Sequence, residues 1–430
     1  MNIYNSRASI YSISVIFKFL INLLIVLPFF TKVIDIKVFG VHAMSYSVIA
    51  LLQFFSTSGI EWNAFKNNNP RLMCSIDFIY NALWLLIIRI IFLITFLAIC
   101  SFWSALRLNV SNFIVPISII VLSQFVSIIW EVIRPYKIQE GKLYFVAFFG
   151  SIPWVISSTL VILLLTLKKV NPVDALFLVV LIESILQSFV LFFQRIKFKW
   201  TKFNYKKIIK LFRTTLKVTI VLSGPSIGNF LERYYLLHIM GLEKLAIYTH
   251  GVAYRLALQQ GLSGIVNSLI SVLRSVSKED DDLNFSLYKH IFFLLFIASA
   301  VAYDVGIVLI NYASSGLFND AAILLPIWCI ASMFAMVSHQ IIIQIKVMDL
   351  KFIFGLLNWI KTILFLIFLI TFVKNYGLVG AGYAYLICEA ITFILFYIIA
   401  RFYYIKVYYL YKMLIFVLLA SMLQIILQLI

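Results

Sequence analysis

KFIFGLLNWIKTILFLIFLITFVKNYGLVGAGYAYLICEAITFILFYIIA, residues 351 to 400, decides the fold. Two apolar runs, 352–373 and 378–404, flank a short break at Lys374, Asn375, Tyr376 and Gly377. Each run is long enough to cross a bilayer as a helix, which takes roughly 20 apolar residues. Each also holds one charge close to its centre, Lys361 in the first and Glu389 in the second.

The same pattern continues toward the N-terminus. Further spans fall near 8–31, 38–58, 78–100, 111–132, 142–166, 172–194, 212–240, 245–273, 286–311 and 320–345. Arg7 precedes a first run longer than the apolar core of a signal peptide, so it reads as a span. The final run, Met413–Ile430, reads either as one more span or as an interfacial tail. Of 430 residues, 63% are hydrophobic and 12% charged. A soluble chain of this length carries about twice that charge and could not cover so much apolar surface. The expected fold class is all-α, a polytopic membrane protein of about twelve helices in two pseudo-symmetric six-helix lobes.

The formal net charge is +18, from 35 Lys+Arg against 17 Asp+Glu. The cations sit in the gaps between runs, which suits anionic head groups rather than nucleic acid. The N-terminus, the even-numbered gaps and residues 401–412 are far richer in Lys and Arg than the odd-numbered gaps. The positive-inside rule therefore makes them cytoplasmic. The richest gap holds Arg195, Lys197, Lys199, Lys202, Lys206, Lys207, Lys210 and Arg213. It divides the chain into a first lobe (1–194), a basic cytoplasmic linker (195–211) resting on anionic lipid, a second lobe (212–404) and a tail (405–430). A faint repeat supports two halves. Ala175–Glu183 aligns with Ala381–Glu389, and Lys37 with Lys244. Equal halves of equal orientation are the build of alternating-access transporters. Gly224-Pro225, which opens the second half, is the break expected to bend a helix.

Catalytic signatures are missing. There is no G-x-x-x-x-G-K-[ST], no H-E-x-x-H and no G-x-S-x-G, so the chain reads as a transporter rather than an enzyme, with no cofactor. Cys74, Cys100, Cys329 and Cys388 are scattered without metal-ligand spacing. The informative residues are charges inside the spans: Lys18, Arg89, Arg233, Arg255 and Lys361, with Glu183, Glu232, Asp304 and Glu389. A charge at mid-bilayer costs about 2.5–3.5 kcal/mol, so each must face protein or water. One reading makes them structural ion pairs, with Lys361 and Glu389 on consecutive helices at similar depth. The other makes them a cavity with a basic excess, near His238, His250 and His339, that takes an anionic passenger.

The stretch Tyr376–Glu389 resembles the Gly-x-x-Gly-Ala-x-x-Ala-x-x-x-x-Glu entry to the twelfth helix of polysaccharide repeat-unit flippases. These belong to the multidrug/oligosaccharidyl-lipid/polysaccharide exporter superfamily. Asn358-Trp-Ile-Lys361 is similar to that family's Asn-x-x-Lys, and Glu232-Arg233 with Met240–Tyr248 to its seventh-to-eighth-helix segment. Glu232 replaces the usual Asp and Ile247 the usual Gly. The resemblance implies transport of an undecaprenyl-pyrophosphate-linked oligosaccharide, an O-antigen or capsule unit, across the bacterial cytoplasmic membrane. The five cations would attract the head group, and Glu183, Glu232, Asp304 and Glu389 would serve H+ or Na+ coupling or structural pairing. A polysaccharide polymerase and a chain-length regulator are the implied protein partners. The rivals are a cation-coupled multidrug or small-solute antiporter of the same superfamily and, lower, a membrane glycosyltransferase or polymerase, which would need a large outer loop.

The charge asymmetry generates a topology test. A cysteine at Lys202 is expected to react with an impermeant maleimide only after the cells are permeabilised. Reaction in intact cells reverses the orientation.

Overall fold

The computed structural model describes residues 17–18, 21–66, 82–91, 119, 122–139, 142–190, 205–275, 306–308, 310–312, 316–347 and 350–402. Among them there is no strand. The chain is an all-α polytopic membrane protein, as its apolar runs require. The helices are α1 (Leu27–Val33), α2 (Ile36–Lys66), α3 (Ile128–Gln139), α4 (Leu143–Thr166), α5 (Pro172–Ser188), α6 (Tyr205–Leu222), α7 (Gly224–Ser275), α8 (Leu325–Val347) and α9 (Lys351–Phe402).

Two of these differ from the sequence expectation in the same way. α7 and α9 each run 52 residues, yet each turns back at one glycine, Gly241 (φ 80°) and Gly377 (φ 58°). The spans near 245–273 and 378–404 therefore begin directly after a one-residue turn. A Cβ is rarely tolerated at such φ, which is why glycine holds both tips. A third difference is the span expected at 212–240. It is broken at Ser223, so that α6 ends at Leu222 and α7 restarts at Gly224-Pro225. Proline's fixed φ and missing N–H suit a first helical turn and not a helix interior.

The chain forms two compact units, residues 1–43 with 227–430, and residues 44–226. In the 44–226 unit, α3 packs on α4 and α5. Trp130 of α3 sits 6.0 Å from the Phe149 ring of α4. In the other unit α8 packs along α9, with Met333, Ile341, Leu357, Phe393, Phe396 and Ala400 as one buried cluster.

α9 shows what solvent its surface meets. Phe352, Leu356, Ile363, Ile367 and Ile370 are all at least half exposed, while Asn358 and Thr362 are buried. The spacing of the exposed set follows one helix face. Apolar outward and polar inward is the arrangement for lipid, and the reverse of a soluble helix.

In the unit of residues 1–43 and 227–430, turns between helices are tied by ion pairs. Lys37 lies 3.6 Å from Glu243, and Lys244 lies 2.9 Å from Asp320 beside the 3-10 turn Asn319–Leu324. The lysines that the repeat aligned thus both take acidic partners. Exposed pairs of this kind contribute about 0–1 kcal/mol each, so the glycine turns matter more to the fold. Gly377→Ala is expected to destabilise the purified protein by roughly 1–3 kcal/mol through its backbone conformation. Lys374→Ala in the same turn serves as the near-neutral comparison. Equal melting temperatures for the two variants would show that the tip tolerates a side chain.

Candidate functional site

Three helices bring a polar cluster together inside the unit of residues 1–43 and 227–430. On α7, Tyr248, Arg255 and Gln259 recur at seven and four residues, which is one helix face. Tyr385, Glu389 and Thr392 recur at four and three residues, again one face, on the second arm of α9. Lys361 comes from the first arm, and α8 supplies Trp328 and Ser332. Gly251 makes the approach of Trp328 possible, since a Cβ there would lie 2.5 Å from Trp328 Cζ3.

The cluster satisfies most of its charges. Lys361 Nζ donates to Glu389 Oε1 at 2.6 Å, with Glu389 fully buried and Lys361 partly so. The structure thus pairs the two residues that the sequence reading set side by side. Tyr248 donates its hydroxyl to the buried Glu232 carboxylate, and its ring meets Trp328 edge to face at 5.5 Å. Gln259 Nε2 donates to Tyr385 Oη at 3.1 Å and to Ser332 Oγ at 3.4 Å.

Arg255 is the exception. It is 7% exposed, and its guanidinium carbon lies 3.9 Å from the centre of the Tyr385 ring and 5.7 Å from that of Trp328. Its Nε and Nη1, together with Trp328 Nε1, have no hydrogen-bond partner among the described residues. Aromatic faces stabilise a cation by about 0.5–2 kcal/mol, less than the cost of burying a guanidinium without hydrogen bonds. The ring of Tyr385 is shared, because Lys361 Nζ lies 6.0 Å from its centre as well.

The remaining predicted site residues lie elsewhere. Arg233 donates to the Ala43 carbonyl at 3.1 Å. Lys18 is half-buried, and Asp304 falls outside the described residues. Glu183 on α5 is half-buried and accepts from Gln187 Nε2 at 3.2 Å. His238 is exposed, His250 is buried, and the His339 side chain falls outside the described residues. Arg89 belongs to the 44–226 unit, is 1% exposed, and is bound to Glu131, Ser127 and the Gln124 carbonyl, contacts that tie one helix to another. Glu131 went unnoticed because it falls at the end of an expected span, where a charge arouses no suspicion. Gln259, Tyr385 and Trp328 were missed because uncharged polar and aromatic residues are ordinary in membrane helices.

No known family profile matches the chain, and no curated protein aligns with it. Solved structures do match over nearly the whole chain. A multidrug resistance MATE family transporter of the MOP superfamily superposes in its outward-facing conformation with a TM-score of 0.61 at 15% identity, covering 95% of this chain and 97% of that one. An inward-facing conformation gives 0.62 at 15%, covering 93% and 99%. A MOP superfamily transporter from Pyrococcus furiosus, whose reverse polarity of binding pocket suggests a different function, gives 0.60 at 13%, covering 92% and 95%. The chain has the fold of these proteins.

The Lys361–Glu389 contact yields a double-mutant test. Removing one partner of a fully buried pair costs about 3–5 kcal/mol, and less is expected here because Lys361 keeps 29% exposure. Lys361→Met and Glu389→Gln are each expected to lower the melting temperature, and the double variant to recover most of the loss. A double variant as unstable as the sum of the singles would mean that the two charges act separately.

Proposed function

We propose that the chain is a membrane transporter working by alternating access, and that its passenger carries negative charge received at Arg255. The carrying observation is the Arg255 guanidinium, buried on the Tyr385 ring with two nitrogens unmet. An anionic group would accept from the two nitrogens that no described residue meets. Phosphate oxygens match the planar guanidinium fork, and the flanking rings of Trp328 and Tyr385 offer faces to a sugar.

Two passengers fit this chemistry to different degrees. The solved structures of this fold include multidrug transporters, and on that ground a cation-coupled multidrug or small-solute antiporter is the better backed reading. The charge pattern and the motifs at Asn358–Lys361 and Tyr376–Glu389 favour the flippase of a lipid-linked oligosaccharide, whose pyrophosphate would meet Arg255. Glu232, Glu389, Glu183 and Asp304 stay as the carboxylates for H+ or Na+ coupling. Three of them are engaged, Glu389 by Lys361, Glu232 by Tyr248 and Glu183 by Gln187.

Cells relying on Arg255→Gln are expected to lose surface polysaccharide at least tenfold with the membrane level of protein unchanged. Arg255→Lys is expected to recover only part, because an ammonium lacks the fork. Normal polysaccharide with lost efflux of an anionic solute would assign the antiporter role. Full activity of Arg255→Gln in both assays would remove the anion reading.

A further inference from the structure

The break at Ser223 separates α6 from the span that follows, and α6 has a surface that neither transport reading uses. Lys206, Arg213 and Lys217 are exposed and recur at seven and four residues, so they form a stripe on one face. Lys210 falls at the matching sequence position. Beside that stripe runs a second one, made of Ile209, Leu216 and Ile220, each exposed by more than 40%. The opposite face is inside the protein, with Thr215, Val218, Thr219 and Leu222 buried. From residue 184 to residue 231 the chain contains no Asp or Glu. No ion pair joins the three exposed cations to a described residue.

A helix that shows water a row of large aliphatic side chains is poorly placed in water. A helix that shows hydrocarbon a row of cations is worse placed in hydrocarbon. The two rows side by side match one location, the boundary between head groups and acyl chains. There the aliphatic row enters the acyl layer while the cations lie level with phosphate. We infer that α6 is a membrane-surface helix that binds anionic phospholipid head groups. The ligand chemistry is a phosphodiester on a lipid, and the complementarity is that of an acid-free basic stripe for an anionic leaflet. The inference is independent of the passenger and of the coupling ion.

The test uses the full chain in detergent. Native mass spectrometry counts the phosphatidylglycerol and phosphatidylcholine molecules retained from an equimolar mixture. Wild type is expected to retain phosphatidylglycerol at least fivefold over phosphatidylcholine, with the preference falling between 50 and 500 mM NaCl, about the range over which exposed charges become screened. The triple variant Lys206→Gln, Arg213→Gln, Lys217→Gln is expected to abolish the preference, leaving a ratio near one, since each cation near an anionic surface contributes about fivefold and the three together account for all of it. Lys206→Arg with Lys217→Arg keeps the charge and is expected to keep the preference. If the triple variant does not fold, the salt titration and the Arg variant decide. Unchanged preference in the triple variant overturns the proposal. So does a salt-insensitive wild type, or a wild type that takes duplex DNA or an acidic peptide in place of phosphatidylglycerol.

Discussion

A charge carried to membrane depth must be met there by another group, because hydrocarbon offers neither water nor counter-ion. The described parts of this chain are arranged around that requirement. Lys361 meets Glu389, and Arg89 meets Glu131. Glu232 accepts from a phenol rather than from a cation, and Arg233 finds a carbonyl oxygen. Each answer joins two segments, so the charges hold helices together while they are being neutralised. Arg255 lies on aromatic faces with Nε and Nη1 unmet by any described residue, and that incompleteness makes it the residue to watch. A fully compensated cluster would have argued for architecture alone.

The membrane class was legible from composition, because no soluble packing could use so much apolar surface. The contact between Lys361 and Glu389 was legible too, since two charges at equal depth on consecutive helices have few other choices. The joint at Gly224-Pro225 could be read from proline chemistry. The gaps at 241–244 and 374–377 were legible as well, but not that one residue makes each turn, since the positive φ of Gly241 and Gly377 leaves no mark in the sequence beyond the glycine itself. The partner of Arg89 could not be read either, because Glu131 arrives from another helix. Partners across helices are set by tertiary packing, and a single sequence carries no record of it.

The exposed faces follow the same rule in the other direction. On α9 the row of Phe352, Leu356, Ile363, Ile367 and Ile370 is wholly apolar, which suits the interior of a bilayer. On α6 the exposed surface is divided between aliphatic and cationic rows, which suits only its boundary. One chain thus displays two kinds of lipid-directed helix, told apart by whether charge accompanies the apolar row.

The turn at Gly377 has a consequence for how the protein is made. It folds residues 351–402 into a hairpin that contains both Lys361 and Glu389. A helix entering the bilayer alone would bring an uncompensated lysine, and its successor an uncompensated glutamate. Entering together as a hairpin, they bring a neutral pair already in contact. Insertion as a hairpin therefore presents one apolar body in place of two charged segments. Biogenesis and final packing draw on the same contact.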